Sequence, residues 1–272
     1  MSSKLQALTQ AIAYRGVMSR NDTRQRRLTA LNISSARHLL EQNQPPISDE
    51  TLWRSLWHED FSRPFAVLLW KSMHGALRCG EYWLKFKGYE HRAQCSFCDE
   101  EESLEHILLR CPATGQNEVW EVLAPLWKKK GLTWARPSMD DLHSLGLTCW
   151  RDNKGRARTG ATRLWRIMIS EATHLIWKLR CERVIGHADQ EGWDHDDSAV
   201  RNRIANVLHN RLRHDLEATK TKYNELSLSD ETVLATWHGL IQDDPALPWN
   251  WTKCSGFLVG SVPRVCLNFD PG

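Results

Sequence analysis

Cys95, Cys98, His106 and Cys111 constrain this chain more than anything else in it. They read Cys-x2-Cys, then seven residues and a His, then four residues and a Cys. Zinc takes four soft or borderline ligands at tetrahedral corners, and a Cys-x2-Cys pair delivers two thiolates from one tight turn. Free cysteines are often small buried hydrophobes, but here the intervening run Asp99-Glu100-Glu101-Glu102 is too polar for that reading. Ser103 and Glu105 open a short capped helix carrying Ile107, Leu108 and Leu109. His106 and Cys111 are five positions apart, one helical turn plus about 140°. Both reach one metal only if Cys111 lies where the helix ends. Four protein ligands leave no open coordination position, so the expected cofactor is a structural zinc. The outer gaps are those of a retroviral zinc knuckle, and the middle gap is longer.

Fourteen Trp against four Tyr, among 272 residues, call for a sizeable core or a stacking surface. Eight cysteines suggest a secreted disulfide scaffold, but Met1-Ser2-Ser3-Lys4 opens no apolar signal segment. No run of about 18 apolar residues offers a membrane span. The expectation is an intracellular, reducing context, nucleus or cytoplasm, where clustered cysteines bind metal. Cys79, Cys149, Cys181, Cys254 and Cys266 are read as unpaired packing residues, Cys79 also as a further ligand candidate. A net charge of +3 does not by itself demand a nucleic-acid partner.

Helical periodicity dominates, and no alternating β-α pattern occurs. Ser48 caps a helix with Leu52, Trp53, Leu56 and Trp57 at helical spacing. Pro64 opens the next, with Phe65, Leu68, Leu69 and Met73 on its stripe and Gly80 near its end. A helix is expected over 114–130, with Pro125 as a potential kink. The strongest runs over 162–185, a long amphipathic one over 198–226, and a last one follows Ser229 to Ile241. Residues 257–259 suit a short strand. The fold class is mainly α, with a small inserted Cys-Cys-His-Cys element. The expected division is a basic segment at 1–45, a helical zinc-binding domain at 46–150, and a helical region with a proline-containing tail at 151–272. Asp152 to Gly160 is the linker candidate.

The stretch Leu69-Trp70-Lys71-Ser72-Met73-His74-Gly75-Ala76-Leu77-Arg78-Cys79-Gly80, followed by the cluster and by Glu102-Ser103-Leu104-Glu105-His106-Ile107-Leu108-Leu109-Arg110-Cys111, resembles a known family. It is the zinc-binding region that follows the reverse transcriptase and ribonuclease H domains of non-LTR retrotransposon proteins, in versions found in fungal genomes. The segment from His174 to Ile185 also looks like that family, as do Thr236-Trp237 and Leu258-Val259-Gly260. The resemblance implies a retroelement-derived module that binds zinc and works with RNA or DNA. It also implies upstream polyprotein domains as partners, with residues 1–45 as the tail of one. The chain then reads as a C-terminal fragment.

Catalytic constellations are not found in the residues. Two-metal phosphodiester cleavage needs a set of spaced carboxylates, and none stands on predicted strands. No paired-Asp polymerase hairpin, G-x-S-x-G, P-loop or H-E-x-x-H occurs. The reading leans away from an enzyme and expects no small-molecule substrate or membrane. A ribonuclease H-related fragment and a protein-interaction module are the alternatives. Arginine and lysine clusters fall at 15–27, at 151–166 and at 201–222. The middle one, with Arg151, Lys154, Arg156, Arg158 and Arg163, has one acid, Asp152, and is the first choice for phosphate contact. Trp57, Trp70, Trp165 and Trp177 are expected in the core; Trp193, Trp249 and Trp251 are stacking candidates. His74 is expected to pack, or to hydrogen-bond a ligand thiolate. The zinc element is expected to dock around Trp70 and Trp83.

Overall fold

A computed structural model describes residues 9–20, 26–42, 44–241, 251–253 and 259. Among these the chain is helical, with no strand beyond isolated bridges. The helices are α1 (Gln10–Arg20), α2 (Arg27–Glu41), α3 (Asp49–Ser55), α4 (Arg63–Met73), α5 (Gln116–Lys128), α6 (Met139–His143), α7 (Thr159–Cys181), α8 (Asp197–Ala218) and α9 (Asp230–Trp237). Their starts follow capping chemistry. The hydroxyls of Ser48, Ser138 and Ser229 and the carboxylate of Asp196 each accept the backbone N–H three residues on, just before the first buried apolar side chain. Pro64 sits in the first turn of α4, where its missing N–H costs nothing. Pro125 lies inside α5, which nonetheless continues to Lys128.

α7 is the axis of the molecule. It packs against α4, α5, α8 and α9. Ala161, Leu164, Trp165, Ile167, Met168, Ile169, Ala172, Leu175, Ile176 and Leu179 are all buried along it, an apolar surface wider than one stripe. A helix apolar on most sides belongs inside a protein. Trp165 centres a cluster of rings, with Trp127 at 4.7 Å, Trp150 at 5.2 Å and Trp134 at 5.6 Å between centroids, in tilted or edge-on arrangements. Much of the tryptophan excess is spent here. Trp57 and Trp70, expected inside, are instead 42% and 41% exposed. Arg63 covers the Trp57 ring and His74 packs edge-on to Trp70. Helical spacing placed them on an apolar stripe, but they fall on its outer margin.

The expected divisions do not coincide with breaks in the core. One apolar cluster runs from Ile33 in α2 to Val259, across both 45/46 and 150/151. The linker candidate is a tight turn: Asp152 accepts from the N–H of Lys154 and of Arg156 and pairs with the Arg156 guanidinium. The strand expected at 257–259 is represented by Val259, which bridges to Ile241; residues 257 and 258 lie outside the described residues.

A buried ionic cluster ties the start of α7 to three other segments. The Arg163 guanidinium donates to both Asp215 oxygens at 2.6 and 2.8 Å and lies 2.9 Å from Asp60. Trp237 Nε1 donates to Asp215 at 2.8 Å. Arg211 donates to the Asp60 carbonyl. Neighbouring Gly160 meets α9 so closely that an added Cβ would sit 2.2 Å from the Ala235 carbonyl oxygen. Gly160→Ala forces the two backbones apart. It is expected to lower the melting midpoint by roughly 3–10 °C, read by calorimetry, with helix content intact.

His143 supplies a pH-dependence. It is buried, its Nε2 is 2.7 Å from the Ser72 hydroxyl, and its Nδ1 has no partner. Burial holds its pKa down to about 4, against an ordinary value of 6.5. The unfolded chain therefore takes up a proton first, so stability falls as pH drops from about 6.5 toward 4. Between pH 7 and pH 5 the loss is about 2 kcal/mol. Urea midpoints are expected to show it in the parent chain and to show it removed in His143→Gln.

Candidate metal centre

Two local structures deliver the four ligands. The first is a tight hairpin at 93–102. Gln94 bridges Glu101, the Cys95 N–H donates to the Glu100 carbonyl at 2.7 Å, and the Glu102 N–H donates to the Ala93 carbonyl at 2.8 Å. Asp99 closes the turn at φ 60°, a left-handed conformation that a short polar side chain tolerates. The backbone N–H groups of Phe97 and Cys98 face the Cys95 sulfur. The second is a wide helical turn. Ser103 caps it, accepting the His106 N–H at 3.1 Å. The Cys111 N–H then donates to the His106 carbonyl at 2.8 Å, an i to i+5 bond. An α-helix closes one residue earlier, and such expanded turns concentrate at functional sites. The extra residue brings His106 and Cys111 to the same side, where plain helical spacing would have splayed them.

The four ligand atoms lie within 4.8 Å of one another. Cys95 Sγ is 3.7 Å from Cys111 Sγ, and Cys98 Sγ is 3.5 Å from His106 Nε2. Zn–S bonds of about 2.3 Å and Zn–N bonds of about 2.0 Å at tetrahedral angles imply edges of about 3.8 and 3.5 Å. The donor set fits a four-coordinate zinc. Its electrostatics point the same way. The hydrogen bond from Cys111 outweighs burial and brings Cys95 down to about 4, with help from the Phe97 N–H; the Cys111 thiol is pushed upward in return. The downward direction at Cys95 favours its thiolate, the form a metal binds.

His106 is 1% exposed, and its Nδ1 lies 3.2 Å from the Glu100 carboxylate. That contact fixes the tautomer: Nδ1 carries the proton and Nε2 faces the sulfurs. Glu100 was hidden in the acidic run, where only its place in the hairpin distinguishes it. Behind the ligands a cavity of about 20 Å³ admits a water and no substrate.

Of the expected surroundings, Trp70 and Trp83, the segment carrying Trp83 meets the element, with Gly80 against residues 101–103; the element also docks against α7 and α5. Glu102 forms a buried two-pronged ion pair with Arg180 of α7. Trp120 of α5 donates to the Leu108 carbonyl at 2.9 Å, and Gln116 to the Cys111 carbonyl at 3.0 Å. His74 takes no part; it hydrogen-bonds Thr29 and stacks on Trp53. Cys79, Cys149 and Cys181 are free thiols outside the cluster.

The five nucleic-acid candidates are not brought together. Arg163 is withdrawn into the ionic cluster with Asp60 and Asp215, its charge neutralised inside the protein. Arg158 is half-buried and donates to the Lys130 carbonyl. Arg151, Lys154 and Arg156 are exposed on the 151–157 turn, with Arg156 paired to Asp152. Most of the basic face of α8 is likewise matched, Arg201 to Glu121, Arg203 to Glu182 and Arg211 to Asp215, and Lys220 just past its end pairs with Glu217. Of the ring candidates, Trp251 is buried and Trp193 stacks on His187 at 3.7 Å; Trp249 lies outside the described residues.

Residues 32–120 match the family described as zinc-binding in reverse transcriptase. The matched window opens in α2, closes in α5 and encloses all four ligands. A stretch of 59 residues is 39% identical to the Transposon TX1 uncharacterized 149 kDa protein of Xenopus laevis. That match covers 22% of this chain and 4% of the relative. No solved structure matches. Among the described residues no helix is long and apolar enough to cross a membrane.

Glu100→Gln tests the orienting contact. It is expected to weaken zinc affinity about 10- to 100-fold, read by chelator competition. Cys98→Ser is expected to lose zinc from the purified protein, read by elemental analysis.

Proposed function

We propose that this chain is a non-catalytic, zinc-stabilised helical module of a retrotransposon reverse transcriptase polyprotein, and that it contributes nucleic-acid binding to that assembly. The observation that carries the reading is the Cys95–Cys98–His106–Cys111 cluster inside a window that matches the reverse transcriptase zinc-binding family. Zinc fits four protein donors at tetrahedral spacing, with His106 oriented by Glu100 and no open position for a reacting water. Its role is then to hold the hairpin and the wide turn against α7. Placement after reverse transcriptase and ribonuclease H domains belongs to the same reading. It rests on the resemblance of residues 69–111 and on the likeness to a transposon protein.

Two measurements test it. Purified chain is expected to hold one zinc per molecule. It is expected to bind oligonucleotides with an affinity that falls as salt rises, because lysines and arginines displace condensed counterions. A zinc-free protein with unchanged thermal stability contradicts the structural metal. A zinc-loaded protein that binds no oligonucleotide at low salt contradicts the nucleic-acid role.

A further inference from the structure

A groove of about 580 Å³ runs between α4 and α7, on the face next to the metal element. Lys71, Arg78 and Arg92 stand along it, all exposed. Among the described residues none of the three has a carboxylate within salt-bridge distance, unlike Arg201, Arg203 and Arg211 of α8. Arg180 also lines the groove, but its charge is met by Glu102. His174, a further lining residue, is held below its ordinary pKa by burial and by nearby Lys178. The lining includes no uncompensated acid.

Aromatic rings stand beside these charges. Trp177 lies on the α7 wall with Arg180 over its ring at 5.5 Å. Trp83 lies on the opposite wall and is fixed by its Nε1, which donates to the Arg78 carbonyl at 3.1 Å. Arg92 lies 5.2 Å from both the Trp83 and Tyr89 rings. Tyr89 and Phe86 extend this wall outward, 48% and 43% exposed. Large rings left half in water beside unmatched cations differ from the tryptophans around Trp165, which are enclosed by one another.

We infer that the groove between α4 and α7 binds a single-stranded nucleic acid, its phosphates on Lys71, Arg78 and Arg92 and its bases stacked on Trp83 and Trp177. This rests on the nucleic-acid reading above and assigns it a surface. Unmatched cations complement a phosphate chain, and every base has a face that stacks on an aromatic ring. A duplex keeps its bases stacked on each other and offers no free face. The surface differs from the 151–157 turn, whose Arg156 is tied to Asp152.

The test measures fluorescence anisotropy of labelled 15-nucleotide oligo-dT and oligo-U, and of a 15-base-pair duplex, with full-length zinc-loaded protein. Wild type is expected to prefer the single strands. The slope of log affinity against log salt is expected near about −2, from three phosphate contacts at about 0.7 each. The exposed double reversal Lys71→Glu/Arg92→Glu is expected to weaken binding tenfold or more and to bring the slope to about −0.7. Trp83→Leu is expected to weaken it about fivefold or more with little change in slope. Arg151→Glu is expected to leave both unchanged. Melting curves and zinc content keep loss of fold apart from loss of contact. Wild-type binding that survives the double reversal overturns the groove and leaves the nucleic-acid role standing. Tighter binding of duplex than of single strand overturns the stacking geometry. Poly-glutamate that binds the same groove as tightly as oligo-dT makes the ligand an acidic peptide and overturns the inference. No oligonucleotide binding at 50 mM salt, about a third of physiological ionic strength, removes this inference and the role it rests on together.

Discussion

The buried pair of Glu102 and Arg180 is the interaction on which the arrangement of the metal element depends. Their side chains are 5% and 7% exposed, and the guanidinium engages both carboxylate oxygens. Such a pair is a poor source of net stability, because desolvating two charges cancels most of their attraction. It is a strong positional constraint for the same reason: an Arg180 left without Glu102 becomes an uncompensated buried charge, at about 3–5 kcal/mol. The hairpin needs a device of this kind. Its own apolar cluster comprises Cys95, Cys111 and Ala113, with Cys98 against it, far too little burial to order some twenty residues. The ion pair beneath supplies part of what hydrophobic contact cannot, and a metal on the four clustered residues would supply the rest.

The opposite end of α7 is held by the same logic with other residues. Arg163 sits among Asp60 and Asp215, Arg166 approaches Asp60, and Trp237 completes the hydrogen bonding of Asp215. Between the two polar anchors the buried face of the helix is apolar apart from Ser170 and Thr173. Hydrophobic packing alone permits a buried helix to slide or rotate among neighbours of similar shape. Charged groups satisfied in a single geometry at both ends remove that freedom. The register of α7 against α4, α8 and α9 therefore follows from Arg163 and Arg180, while the stability follows from the leucines, isoleucines and tryptophans between them.

Helix existence and the grouping of Cys95, Cys98, His106 and Cys111 were legible in the sequence because both are local. Ser48, Ser138 and Ser229 announce helix starts through hydroxyls that act within three residues, and Cys-x2-Cys with a nearby His and Cys is a spacing few other demands produce. Orientation was not legible. Arg163 reads as one cation in a basic run until Asp60 and Asp215, more than fifty positions away in each direction, close around it. Trp57 and Trp70 share the helical spacing of true core residues, and only the outline of the packed neighbours decides that they lie at its edge. The i to i+5 turn at Cys111 escaped for a further reason. Periodicity assumes a regular helix, and the turn exists because the hairpin and α5 constrain both of its ends.

The metal element and the groove are mechanically joined. One wall of the groove is the segment 80–93, two short helical turns that pack on each other and bury little beyond Gly80 and Ala93. Both ends of this wall rest on the hairpin. Gly80, at φ 52°, lies so close to residues 101–103 that a Cβ would meet the Glu101 carboxylate at 2.9 Å, and the Ala93 carbonyl accepts the Glu102 N–H. The other wall is α7, fixed to the same hairpin by Arg180. The separation of Trp83 and Trp177 thus depends on the shape of the hairpin, which a metal on Cys95, Cys98, His106 and Cys111 would hold. On the function and surface proposed above, an ion held by these four residues would contribute to the groove through geometry alone, with no ligand of its own to the nucleic acid.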